Sequence, residues 1–129
     1  MQITKIKEGY VEVPKISDND ILKRGLYLLI YKDKVIKVGI YGEGVNSTNK
    51  SRFSSYRSVG KNLNTITYSN GSIKTMKILN EKLEIGEHID VAFKALPDDR
   101  FIDGMWWKVD LYQEEKRLKN KYKHTLWLS

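Results

Sequence analysis

Apolar positions recur along this chain in several patterns, each of which predicts an element. Residues 26–31 form an unbroken apolar run from Leu26 to Tyr31, and residues 35–39 return as Val35-Ile36-Lys37-Val38-Gly39 after the polar turn Lys32-Asp33-Lys34. Two short β-rich runs joined by polar turn residues predict a β-hairpin. Residues 88–96 alternate and predict a third strand, which Pro97-Asp98-Asp99 stops. Helical spacing gathers Ile73, Met76, Ile78 and Leu79 within residues 72–83. Near the end of the chain Trp107, Leu111, Leu118 and Tyr122 recur at helical steps, which places them on one stripe of a helix over residues 105–122. Residues 50–59 predict a further helix, capped from the polar loop Asn46-Ser47-Thr48-Asn49.

The remaining segments are patterned more weakly. Ile3, Ile6, Tyr10, Val11 and Val13 predict an extended arm or a strand, and Ser17-Asp18-Asn19-Asp20 a turn or the cap of a short helix. Residues 62–68 read as a short strand or extended loop, followed by the turn Ser69-Asn70-Gly71. Hairpin, helix, helix, strand, helix is an α+β order in which helices cover a small sheet. A chain of 129 residues suits one domain with a modest core, here residues 1–129 with 1–24 as an N-terminal extension.

Composition narrows the chemistry. Without cysteine there are no disulfides, zinc thiolate sites or cysteine nucleophiles, and His88 and His124 are too few for most histidine-based metal sites. No apolar run approaches the length of a membrane span, and the first residues lack a signal-peptide core, so the expected place of action is the cytoplasm, with no membrane partner. The net charge of +7 is unevenly spread: residues 45–82 carry seven basic groups and one acidic, whereas residues 83–105 carry two and six. A basic middle suits a polyanion, although a solvated lysine-rich surface gives the same count. The glycine-rich stretch from Gly39 to Gly44 lacks the lysine and spacing of a phosphate-binding P-loop.

Gly25-Leu26-Tyr27 on the first strand, Lys37-Val38-Gly39 on the second, Arg52 on the following helix and a glutamate on the last helix together resemble the GIY-YIG nuclease superfamily. Arg52-Phe53-Ser54-Ser55-Tyr56 is similar to the helix start of its excision-repair members. Lysine at position 37 departs from the usual tyrosine of the second motif, as in some restriction-enzyme and phage-associated branches, and Trp127 stands where the family closes with asparagine. The resemblance implies a small three-stranded antiparallel sheet flanked by helices. Periodicity does not separate Glu114 from Glu115, which both flank the apolar stripe. The family pattern selects Glu115, which is followed by Leu118, Lys119, Lys121 and Tyr122.

What the resemblance implies is phosphodiester hydrolysis in DNA, in which Glu115 ligates Mg²⁺ or Mn²⁺ and Arg52 offsets charge on the phosphate. Tyr27 acts on the attacking water, and Lys37, on the paired strand, lowers its pKa or orients the water. Tyr56 and Tyr41 are alternates that hydrogen-bond water or phosphate. Lys50, Arg52, Arg57 and Lys61 are expected to contact nucleic acid. Specificity would come from inserted loops, a homodimer or a partner protein. Each residue also has a plainer reading: Glu115 pairs with Lys119 one turn on, Arg52 lies on the surface, and Tyr27 packs in the core. Trp106, Trp107 and Trp127 suit base stacking or packing, and His88 a structural role. The competing function is a nuclease-like domain without cleavage activity that binds nucleic acid or protein.

Overall fold

A computed structural model describes residues 1–44, 47–96, 99–108 and 110–128, with side chains described for all of these except 99–102 and 106–108. The element order is β1 (Gln2–Lys7), β2 (Tyr10–Glu12), β3 (Gly25–Tyr31), β4 (Lys34–Tyr41), α1 (Asn49–Gly60), α2 (Gly71–Lys82), β5 (His88–Ala95), β6 (Asp99–Ile102), β7 (Met105–Lys108) and α3 (Leu111–Lys121). Five strands form one antiparallel sheet in the order β2-β1-β5-β3-β4, and β6 and β7 form a separate two-stranded ribbon. The class is α+β, as the pattern predicted, but the sheet has five strands rather than three. Residues 1–24, expected as an extension, supply the two additional strands.

Lys5 explains why those strands were weakly patterned. It occupies an inward-facing position of β1 with only 3% of its surface exposed, while Ile6 points out at 44%. Burial of the ammonium is made tolerable by Glu8, at 2.6 Å, and by the Asn80 carbonyl in the last turn of α2, at 2.5 Å. That carbonyl belongs to the helix end where oxygens lack intrahelical partners and the dipole favours a cation. A charged residue thus stands where strand periodicity calls for an apolar one.

The helix expected over residues 105–122 begins later. Asp103 and Gly104 have φ of 51° and 76° and join Ile102 to Met105 in a two-residue hairpin turn. Met105–Lys108 is therefore a strand. Asp110 then caps α3, its carboxylate accepting from the amides of Tyr112 at 3.0 Å and Gln113 at 3.3 Å. Leu111 and Leu118 keep their place on the buried stripe, with Tyr122 packed against them. The side chains of Trp106 and Trp107 fall outside the described residues, as do Pro97, Asp98 and Asn46. Residues 62–68 contain a short 3₁₀ turn, Leu63–Thr65, in place of the expected strand or extended loop.

Two features of the β3–β4 hairpin set the site. Its turn, Lys32-Asp33, has both φ values positive, 48° and 65°, matching the twist of the strands. A bulge then pairs Leu29 with Lys37 and Ile30 with Val35, which leaves Lys37 on the same face as Leu29 and Tyr27. That face packs Tyr27, Leu29, Ile36 and Tyr41 against Phe53 and Tyr56 of α1 and Met76 and Leu79 of α2. The opposite face packs Leu26 and Val38 against Leu111 and Leu118 of α3. Helix α1 starts in a capping box in which the Thr48 hydroxyl accepts from the Ser51 amide and the Ser51 hydroxyl accepts from the Thr48 amide at 2.8 Å. With α1 on one face and α3 on the other, the end of the sheet at β4 forms the floor of a recess.

Candidate active site

That recess is a cleft of about 300 Å³, with Tyr27, Lys37, Gly39, Tyr41, Glu43, Arg52, Glu115 and Lys119 among its lining residues. Strands β3 and β4, helices α1 and α3, and the segment after β4 all contribute to it. The sequence candidates Tyr27, Lys37, Tyr41, Arg52 and Glu115 are brought together here.

Gly39 is held to glycine by close approach. It faces Tyr27 across the ladder, and a Cβ there would collide with the tyrosine ring. Tyr27 is 1% exposed, and its ring meets those of Phe53 and Tyr56 edge-on at 5.0 and 6.2 Å. Its hydroxyl is hydrogen-bonded to that of Tyr56. Arg52, one turn before Tyr56, donates to the Tyr56 hydroxyl from Nη2 and to Ser72 Oγ from Nη1, each at 3.1 Å. Its guanidinium also lies 4.8 Å from the Tyr56 ring centroid. Tyr56 thus links Arg52 to Tyr27. Ser72, at the start of α2, has no sequence motif to announce it.

The electrostatics reverse one expectation. Burial, and then the neighbouring Tyr56 hydroxyl, push the Tyr27 phenol well above its ordinary range, and the opposing pull of Arg52 does not restore it. Lys37 does not lower it. Instead Lys37 is itself pushed down to about 8, chiefly by burial, then by the positive charges of Lys119 and Arg52, against the opposing pull of Glu115. At neutral to mildly alkaline pH the readily deprotonated group in the cleft is the lysine.

Glu115 and Glu114 part ways on α3. Glu115 lines the cleft and pairs with Lys119 at 3.6 Å, whereas Glu114 pairs with Arg117 at 3.1 Å and does not line it. Glu43, which the sequence reading did not single out, enters the same cleft and accepts a hydrogen bond from Tyr112 of α3. No group of three or more His, Cys, Asp or Glu side chains converges among the described residues. The carboxylates that line the cleft are those of Glu115 and Glu43. Such a set fits a mostly hydrated Mg²⁺ or Mn²⁺, which one or two carboxylates suffice to hold.

Tyr41 is 2% exposed, and its hydroxyl has no hydrogen-bond partner among the described residues. Burial raises its pKa to about 12, so the buried hydroxyl stays protonated. An unpaired buried hydroxyl costs about 1–3 kcal/mol. Tyr41→Phe is accordingly expected to stabilise the fold by about 1 kcal/mol. A urea-unfolding midpoint unchanged or lowered would mean that the hydroxyl is already paired.

Other candidates lie elsewhere. Lys50 is tied to Asp18 at 2.6 Å, Arg57 lines a separate shallow cleft with Pro14 and Lys15, and Lys61 is exposed at the end of α1. Of the four residues expected to contact nucleic acid, only Arg52 lines the cleft. Trp127 packs on the Tyr31 ring at 5.1 Å and donates its amide to the Ile36 carbonyl at 2.8 Å. His88 pairs across the ladder with Thr4, and its ring is near Gln2 and Asp90 rather than in the cleft. No helix among the described residues is long and apolar enough to cross a membrane. Comparison with family models, curated proteins and solved structures finds no match.

Proposed function

We propose that this chain is a divalent-metal-dependent endonuclease of the GIY-YIG type that hydrolyses phosphodiester bonds in DNA. The observation that carries the reading is the convergence of Tyr27, Lys37, Arg52 and Glu115 on one cleft from β3, β4, α1 and α3. The β3–β4–α1–α2–β5–α3 order is also the one expected of that fold. Mg²⁺ or Mn²⁺ at Glu115, when bound, supplies Lewis-acid stabilisation of the phosphate.

The chain's own groups divide the remaining work. Arg52, braced by Ser72 and Tyr56, presents a planar fork of donors to phosphate oxygens where negative charge develops. Neutral Lys37 takes a proton from the attacking water, a role its lowered pKa suits. Tyr27 remains a phenol and orients water or phosphate through its hydroxyl. Specificity would come from inserted loops, a second copy or a partner protein.

A second reading, a domain that binds nucleic acid or protein without cutting, is favoured by the pairing of Glu115 with Lys119 and by a half-buried Trp127 packed against the core where the family has asparagine. Plasmid nicking separates the two. Relaxed or linear products are expected with Mg²⁺ or Mn²⁺ and should vanish with EDTA. Intact supercoiled DNA under all these conditions would favour the binding domain.

A further inference from the structure

Of the basic residues between positions 45 and 82, Arg52 is the one that lines the cleft among the described residues. A second set of basic residues lies beside it. Next to the cleft is a groove of about 570 Å³ lined by Lys116, Lys119, Asn120, Lys123, Leu126 and Trp127. Lys119 lines both recesses, so the two adjoin at its side chain. We propose that this groove carries the DNA backbone flanking the bond held in the cleft, with Lys116 and Lys123 contacting successive phosphates of one strand.

The spacing suits that occupant. At about 100° per residue, Lys116 and Lys119 of α3 lie about 60° apart on one side of the helix, and Lys123 lines the same groove two residues past the helix end. No carboxylate lines the groove among the described residues, and none there pairs with Lys116 or Lys123. Lys50, by contrast, is already neutralised by Asp18. Lys82 adds positive charge beside the groove, its ammonium 5.5 Å from the Trp127 ring centroid. The floor is firm as well, since Trp127 is fixed to β4 through the Ile36 carbonyl and Thr125 donates to the Val35 carbonyl. A polyanion would find an array of cations on a fixed surface, and binding would release counterions.

The assignment rests on the nuclease reading for what lies in the cleft, so the test reads the two separately. Binding is measured on the whole protein in EDTA by fluorescence anisotropy with a fluorescein-labelled 20-base-pair duplex, across a range of salt concentrations. The cleft is read by wild-type hydrolysis of bis(p-nitrophenyl) phosphate with Mn²⁺, a small diester that does not need the groove. Lys116→Gln/Lys123→Gln is expected to weaken duplex binding about tenfold and to lower the slope of log K against log salt by about 1 for each lysine removed. Lys50→Gln/Arg57→Gln is expected to leave both unchanged. Binding and slope equal to wild type in the first pair, a loss confined to the second pair, or no duplex binding by wild type would each overturn the assignment. Duplex binding that depends on Lys116 and Lys123 in a protein inert toward the small diester would uphold the groove and overturn the nuclease reading. Diester hydrolysis with duplex binding indifferent to those lysines would do the reverse.

Discussion

Glu115→Gln is expected to lower metal-dependent cleavage by about a thousandfold or more, the loss of several kcal/mol of transition-state stabilisation that a bound cation supplies. Glu114→Gln should remain within a few-fold of wild type. The two carboxylates are adjacent in sequence, but only Glu115 reaches the cleft, while Glu114 turns to Arg117. Unfolding does not confound the comparison, because each substitution removes one partly exposed ion pair, worth less than about 1 kcal/mol. Single-turnover rates on supercoiled plasmid at saturating Mg²⁺ provide the measurement. Wild-type rates in Glu115→Gln would remove it from the metal site, and loss in Glu114→Gln instead would shift the role back by one residue.

Lys37→Met should produce a second large effect, with activity and stability moving in opposite directions. In the wild-type protein the cleavage rate is expected to climb as pH rises toward about 8 and then level, since the proposed base is the neutral amine and burial holds its pKa near that value. Methionine keeps the aliphatic stem but removes the base, so the rising limb should disappear and the rate fall by about 10²–10⁴-fold. Stability follows the opposite sign. The folded pKa of about 8 lies below the ordinary 10.5, so between those values the unfolded chain binds more protons and wild-type stability rises with pH. Below about 8 the penalty for burying the charged amine is fully present. Lys37→Met should therefore unfold at higher urea than wild type at pH 7, with the advantage shrinking as pH rises past that window. A rate profile that keeps its limb in Lys37→Met would place the base elsewhere.

The parts of this fold that were readable in the sequence are those where side-chain chemistry and periodicity agree. The β3–β4 hairpin and a cap for α1 from the polar loop before it follow local rules, and the structure has both, with Thr48 as the capping residue. The two N-terminal strands were obscured because Lys5 is buried, its ammonium donating to the Asn80 carbonyl of α2, a partner that no local window reveals. The β6–β7 hairpin was missed for a different reason. Asp103-Gly104 is a strong two-residue turn pair, but the four-residue step from Trp107 to Leu111 resembled a helical stripe and outweighed it. The candidate site was legible as a set of residue types and not as chemistry. That Tyr27 would stay protonated while Lys37 loses its proton more easily depends on burial at the end of the sheet, which spacing does not report. Glu43 and Ser72 had no pattern to mark them, being brought to Tyr112 and Arg52 only by tertiary packing.

The position of β5 has a consequence for how the molecule comes together. The β1–β2 and β3–β4 pairs are each local hairpins, closed by short turns. They do not touch as strands: β5 lies between them, bonded to β1 on one side and β3 on the other, and it follows both in the chain. On a growing polypeptide the two hairpins are complete before the strand that joins them has been made. Each leaves an open hydrogen-bonding edge until β5 arrives, and closing Ile3 onto Ile89 spans most of the chain. Union of the hairpins is thus the entropically expensive step of assembly, and the interval before it is when this sheet is most open to pairing with the wrong strand.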